Sequence, residues 1–213
     1  MTNLRQANTL CVGWYEGAFV LPDDTFGDTG KERMLYQSPT GSHHNIRVGG
    51  TLQDWQVNVA RYCTGNPRLV FAVSCAFAGP ILQLAGEGGG GFHLRGLTTT
   101  GKTTAQTVAG SVWGGGGSKG YLQSSRTTIN GLEPVAELHN NGLLCLDEIE
   151  QCDPRVVGEV AYMLANGIGK ARMTRGIGAR KKVEWDMIFA STVESPQEIS
   201  VHLPGECGRI TSV

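Results

Sequence analysis

Charge of either sign is scarce in this sequence and nearly balanced: 17% of the 213 residues are charged, with 18 Lys and Arg against 19 Asp and Glu. A net charge of −1 gives no global pull toward nucleic acid or an anionic membrane, so any basic surface has to be local. Paired cysteine motifs are missing as well. Cys11, Cys63, Cys75, Cys145, Cys152 and Cys207 are scattered without a C-x-x-C pair, which argues against a structural zinc or a disulfide framework and for free thiols in a reducing compartment. Met1 to Leu10 is polar and holds no signal-peptide core, so the expected location is cytoplasmic. One long apolar run exists, Leu69 to Ala85, but Ser74, Gly79-Pro80 and Gln83 interrupt it. It reads as a buried helix, kinked or ended near Pro80, rather than a membrane span. His43-His44 reads as a pair of solvated loop histidines rather than a metal site.

Glycine, by contrast, is abundant at 31 residues, and some of it falls in a motif. Gly96-Leu97-Thr98-Thr99-Thr100-Gly101-Lys102-Thr103 fits G-x-x-x-x-G-K-[ST], the phosphate-loop pattern of Walker A. Glycines let the backbone turn tightly and aim successive N–H groups at one anion. Residues Gly96 to Thr104 are thus the expected ATP site, with Lys102 on the β- and γ-phosphates and Thr103 on Mg²⁺. Gly91 to Arg95 reads as the strand before the loop, and Ala105, Val108, Ala109 and Val112 fall at helical spacing after it. Further on, Leu143-Leu144-Cys145-Leu146-Asp147-Glu148 is an apolar run closed by two carboxylates, the Walker B pattern of a buried parallel strand. Asp147 is then a Mg²⁺ ligand and Glu148 the catalytic base for the attacking water.

Around these motifs the chain divides into three expected parts. Residues 1–50 look β-rich and separate, with strands at 11–14, 18–21 and 33–37. Residues 51–90 form a helical lead-in, with Thr51 as N-cap of a helix over Leu52 to Cys63. Residues 91–213 are the nucleotide core. There Tyr121-Leu122-Gln123 reads as a strand, Leu132 to His139 as a short helix, Asp153-Pro154 as a helix start, and Val183 to Ala190 as a strand ending in Ser191-Thr192. Strands alternating with helices around a phosphate loop predict a three-layer α/β fold, a P-loop NTPase core of the RecA/AAA+-like kind.

Two further features bear on function. Between Gly167 and Lys182 lie Lys170, Arg172, Arg175, Arg180, Lys181 and Lys182 with no acidic residue. A basic, glycine-rich hairpin of this kind suits contact with the phosphates of single-stranded DNA. An ordinary solvated loop would have the same composition. Ser191 and Thr192 are candidate sensors of the γ-phosphate, or simply the turn after a strand.

The motifs together resemble the bacterial family known as domain of unknown function 927. The resemblance rests on Thr51 to Trp55, Asn58 to Arg61, Asn66 to Val70, Gly91 to Leu94, Ala105 to Trp113, Leu146 to Glu148, Asp153 to Arg155, Met163 to Gly167 and Gly169 to Arg172. It implies a helicase-like ATPase of mobile genetic elements, working on DNA with a replication partner or as a homo-oligomer such as a hexameric ring. It also implies a further strand and a nucleotide-reaching arginine past the equivalent of Arg209, whereas this chain stops at Val213, so the core is expected to be C-terminally truncated. Arginines of that kind contribute heavily to turnover. The competing expectation is therefore a non-hydrolysing, nucleotide-dependent DNA-binding or assembly module. A small-molecule kinase is less suited, because the region after Thr192 is too short for a lid.

Overall fold

The computed structural model describes residues 5–9, 11–27, 32–37, 43–115, 120–124, 129–147, 154–169, 183–193 and 210–212. In chain order the strands are β1 (Arg5–Thr9), β2 (Gly13–Tyr15), β3 (Ala18–Val20), β4 (Thr25–Phe26), β5 (Glu32–Tyr36), β6 (Gly90–Arg95), β7 (Gln123–Ser124), β8 (Leu143–Asp147), β9 (Ile188–Val193) and β10 (Ile210–Ser212). The helices are α1 (Leu52–Asn58), α2 (Pro67–Ala85), α3 (Lys102–Gly110), α4 (Ile129–Leu138) and α5 (Pro154–Asn166).

The centre is a parallel sheet ordered β10-β6-β9-β8-β7. In β8 the four residues Leu143 to Leu146 have 0% exposure, as a strand covered on both faces requires. Side-chain alternation divides the run. Leu143 and Cys145 join Ala72, Ala76 and Ala105 from α2 and α3, while Leu144 and Leu146 join Ala136, Val160 and Leu164 from α4 and α5. The result is a mixed α/β architecture with helices on both faces of one sheet.

Helix α2 continues past Pro80 to Ala85 and stops at Gly86, which takes φ +71° as its left-handed cap. The helix therefore does not end at Pro80. Pro80 has no N–H to give to the carbonyl of Ala76 four residues back. The indole Nε1 of Trp113 donates to that carbonyl instead, at 3.1 Å. On the next turn, Trp14 Nε1 donates to the Pro80 carbonyl at 2.7 Å. The buried helix expected here is buried on one side: Ala72, Cys75, Ala76 and Gly79 are buried, but Phe77 and Leu84 are 51% and 67% exposed. By length and hydropathy α2 is the one described helix that could cross a membrane. Here it lies packed on α3, β8 and β9.

At the N-terminus β2, β3 and β4 form an antiparallel sheet, and β1 pairs in parallel with β5. This region is hydrogen-bonded to the core: Asn141 Oδ1 accepts from the Trp14 N–H at 3.0 Å, and Asn140 Nδ2 donates to the Val12 carbonyl at 2.8 Å. Gly13, at φ +103°, brings the hairpin against Asn141 so closely that a Cβ would collide with the amide.

Several boundaries differ from the sequence reading. The helix after Thr51 ends at Asn58 and continues as a 3-10 turn over Ala60–Cys63. The strand expected at 121–123 lies at Gln123–Ser124, while Tyr121 is buried ahead of it with its hydroxyl on the Leu143 carbonyl. Residues 183–187 are irregular, tied to Gly167 and Gly169 by backbone bonds, so β9 begins at Ile188 and contains Ser191 and Thr192. Ile210–Ser212 forms an edge strand on β6.

Candidate functional site

Strand β6 delivers the chain into the loop 96–101, and α3 leaves it. Two backbone angles shape the turn: Gly101 sits at φ +89° and Thr99 at φ +64°. A left-handed β-branched residue is a genuine outlier, and strain of this kind persists where the surroundings over-determine it. At Gly101 an added Cβ would meet nothing within 4 Å, so conformation rather than space calls for glycine there.

Gly101 is also the N-cap of α3 and offers no side chain to cap it. The starts of α1 and α2 are different, because Thr51 and Asn66 accept from Asp54 N and Leu69 N. The first turn of α3 therefore has no side-chain cap on its amides at a positive helix end, an arrangement that suits an anion. Lys102 is turned back onto the loop, its Nζ donating to the carbonyls of Gly96 at 2.7 Å and Leu97 at 2.8 Å. Leu97, Thr98, Thr99, Thr100, Gly101, Thr103 and Thr104 are exposed. Thr100 Oγ1 also donates to the Leu97 carbonyl at 2.8 Å.

Across the sheet, Asp147 ends β8 and Thr192 lies in β9, and the Thr192 hydroxyl donates to Asp147 Oδ1 at 2.9 Å. Ser191 points to the opposite face. It has 0% exposure and its Oγ pairs with His93 Nδ1. The two sensor candidates thus separate: Thr192 touches the acidic residue, while Ser191 is buried against the strand that leads into the loop. Burial lowers the His93 pKa, and the nearby Arg95 lowers it further, both favouring the neutral ring. Its Nε2 is buried without a hydrogen-bond partner.

Sequence reasoning missed His93 and Gln106. Gln106 has 1% exposure, and its Nε2 donates to the carbonyls of Leu146 at 2.9 Å and Ala190 at 3.0 Å. The available signal was a polar residue beside Ala105 and Ala109 on the buried side of a helix.

A hydroxyl on Thr103 and a carboxylate on Asp147 are hard oxygen donors of the kind Mg²⁺ prefers, with phosphates and waters completing its shell. The donor set fits that ion. Among the described residues no cluster of three or more His, Cys, Asp or Glu could hold a metal unaided. Glu148 and the basic residues Lys170, Arg172, Arg175, Arg180, Lys181 and Lys182 lie outside the described residues.

The family described as "Domain of unknown function (DUF927)" matches residues 2–184. No curated protein matches the chain. Among matching solved structures is one titled "SCCmec type IV Cch - active helicase", with a TM-score of 0.69 and 19% identity over 100% of this chain. The chain spans 40% of that chain's length. At such identity the likeness concerns the fold: a mixed α/β domain built on a parallel sheet.

Proposed function

The chain belongs to the domain-of-unknown-function family that matches it, and we propose that it is the nucleotide core of a helicase-like P-loop ATPase that acts on DNA in the replication of mobile elements. One observation carries this reading. The glycine-containing loop with its lysine and the Asp147–Thr192 pair lie together at the C-terminal ends of β6, β8 and β9, where open parallel sheets bind their ligands.

In this reading Gly96 to Thr104 cradle the phosphates of ATP. The amides at the start of α3 hold them, and Lys102 leaves the Gly96 and Leu97 carbonyls to pair with them. Thr103 and Asp147 would hold Mg²⁺, which supplies charge neutralisation on the phosphate oxygens. Glu148, next after Asp147, orients and deprotonates the water for in-line attack. Thr192, bonded to Asp147, reports the γ-phosphate, and Ser191 backs the strand from the other face. The basic segment, Lys170, Arg172, Arg175, Arg180, Lys181 and Lys182, contacts single-stranded DNA. A homo-oligomeric ring or a replication partner in the cytoplasm completes the picture.

The neighbouring helicase is longer than this chain, which spans 40% of it. In a second reading these residues bind nucleotide and DNA without hydrolysis of their own. The two separate in one assay: Mg·ATP hydrolysis with and without single-stranded DNA, beside Lys102→Ala and Glu148→Gln. A DNA-stimulated rate lost in both variants supports the ATPase. Binding of ATP without turnover in any form supports the binding module, and no binding at all removes both.

A further inference from the structure

We propose that Gln106 is a positioning residue that ties the helix after the phosphate loop to the ends of β8 and β9, and so sets the Asp147–Thr192 pair for Mg²⁺. The inference rests on the nucleotide-binding reading above and adds to it the element that couples the loop to the acidic residue.

The geometry begins where strand pairing ends. The register between β8 and β9 runs from Leu143↔Ile188 to Leu146↔Ser191. The Gln106 amide grips the carbonyls of Leu146 and Ala190 at this last paired step. One residue further along each strand, backbone pairing is replaced by a side-chain bond, Thr192 Oγ1 to Asp147 Oδ1 at 2.9 Å. Gln106 therefore sits directly behind the carboxylate, on the same face of the sheet. It also sits four residues beyond Lys102 on the helix that the loop feeds, so a shift of α3 on phosphate binding reaches both strand ends through one amide.

Packing does not account for an amide at this place. Gln106 Oε1 is buried without a partner, and an unpaired buried acceptor destabilises a fold. Leucine or methionine would fill the same volume without an unpaired acceptor, at the loss of only the two carbonyl bonds. What the amide adds is a pair of donors aimed at two strand ends. The Cys145 thiol, facing the Gln106 carbonyl at 3.8 Å, keeps the same turn of α3 against β8.

The test measures ATP affinity of the 213-residue chain by calorimetry, in EDTA and in MgCl₂, for wild type, Q106M, D147N and the double variant. Positioning predicts that Q106M keeps its EDTA affinity while the gain on adding Mg²⁺ falls about tenfold, the size of one lost charge-assisted contact. The gain is lost in D147N, and adding Q106M lowers it no further, because both changes act on one chain of interactions. A Q106M chain with an unchanged magnesium gain, or with equal losses in EDTA and MgCl₂, overturns the inference and leaves the nucleotide site standing. Wild type that binds no ATP overturns both. If Q106M does not fold, the wild-type chain decides by NMR. The Gln106 side-chain amide protons, assigned through contacts to Leu146 and Ala190, should exchange slowly and shift on Mg·AMP-PNP but not on AMP-PNP in EDTA. Fast exchange, or the same shift in both, refutes the positioning role.

Discussion

Replacing Lys102 with alanine tests the phosphate loop most directly, and the hydrogen bonding of this lysine fixes how large the effect should be. In this structure the ammonium is paired with two carbonyls, at 2.7 and 2.8 Å. Binding ATP exchanges those ion–dipole contacts for phosphate oxygens. A unit charge pair about 4 Å apart at a protein surface is worth about 4 kcal/mol. Giving up two carbonyl bonds on an exposed loop returns roughly 1–2 kcal/mol of that. The net contribution of Lys102 is then about 2–3 kcal/mol, so Lys102→Ala should weaken ATP binding roughly 30- to 150-fold. AMP, which has no β- or γ-phosphate, should lose much less. The same exchange predicts a change without any ligand: amide hydrogen exchange over residues 96–101 should speed up in Lys102→Ala, because the loop loses its internal tether. Calorimetry with ATP, ADP and AMP, together with exchange on the ligand-free protein, reads both effects. Equal losses for ATP and AMP, or affinity within threefold of wild type, would refute the assignment of this lysine to the distal phosphates.

Three other outcomes follow from the packing. Trp113→Phe should destabilise the protein by about 1–2 kcal/mol, because the Ala76 carbonyl opposite Pro80 loses its donor. In a Pro80→Ala background, where a backbone N–H returns, chemical denaturation should show a cost smaller by about 1 kcal/mol; equal costs would mean the indole bond is incidental. Gly79→Ala should cost about 2–3 kcal/mol, because its Cβ would collide with the Gly142 backbone, while Gly88→Ala, which meets nothing within 4 Å, should be near neutral in the same melt. His139, fully buried, has its pKa pushed down from 6.5 to about 4 by burial, against a smaller opposing effect of its bond to the Val135 carbonyl. The unfolded chain then binds more protons, so stability falls as pH drops from about 6.5 toward 4, by up to about 3 kcal/mol. His139→Gln should flatten that part of the melting profile, leaving a residual slope of the same sign from His93, whose pKa is also lowered.

The parts of this structure that were legible in the sequence are those where residue identity fixes local geometry. Gly101 marks a tight turn, Thr51 marks a helix start, and the run ending at Asp147 marks a strand covered on both faces. Other parts depend on partners distant in sequence. Arg5–Thr9 forms a strand from polar residues because Glu32–Tyr36 lies beside it, and composition carries no trace of that pairing. The apolar residues of 183–187 read as a strand, yet Trp185 and Met187 are buried from an irregular segment. Misplacing the start of β9 also hid the division between Ser191 and Thr192. Which of two adjacent polar residues faces which side follows from strand phase alone. Pro80 misled for a similar reason: the donor that rescues its turn is Trp113, thirty-odd residues away in sequence.

The order of the strands explains why the missed residues bear on the site. β6, which leads into the loop, and β8, which ends in Asp147, are not neighbours; β9 lies between them. Within the fold the two strands are linked through β9 and, over the sheet, along α3. The His93–Ser191 pair takes the first route and Gln106 the second, and both reach β9 within the step from Ala190 to Ser191. Each contributes a neutral polar group with one atom left unpaired in the interior, an arrangement that a purely structural core would replace with hydrocarbon. The polar cost is thus concentrated beside β9, the strand between the one that leads into the loop and the one that ends in Asp147. A substitution in β9 at Ser191 should accordingly disturb the loop side through His93, and one at Thr192 the Asp147 side, although the two residues are adjacent in the chain.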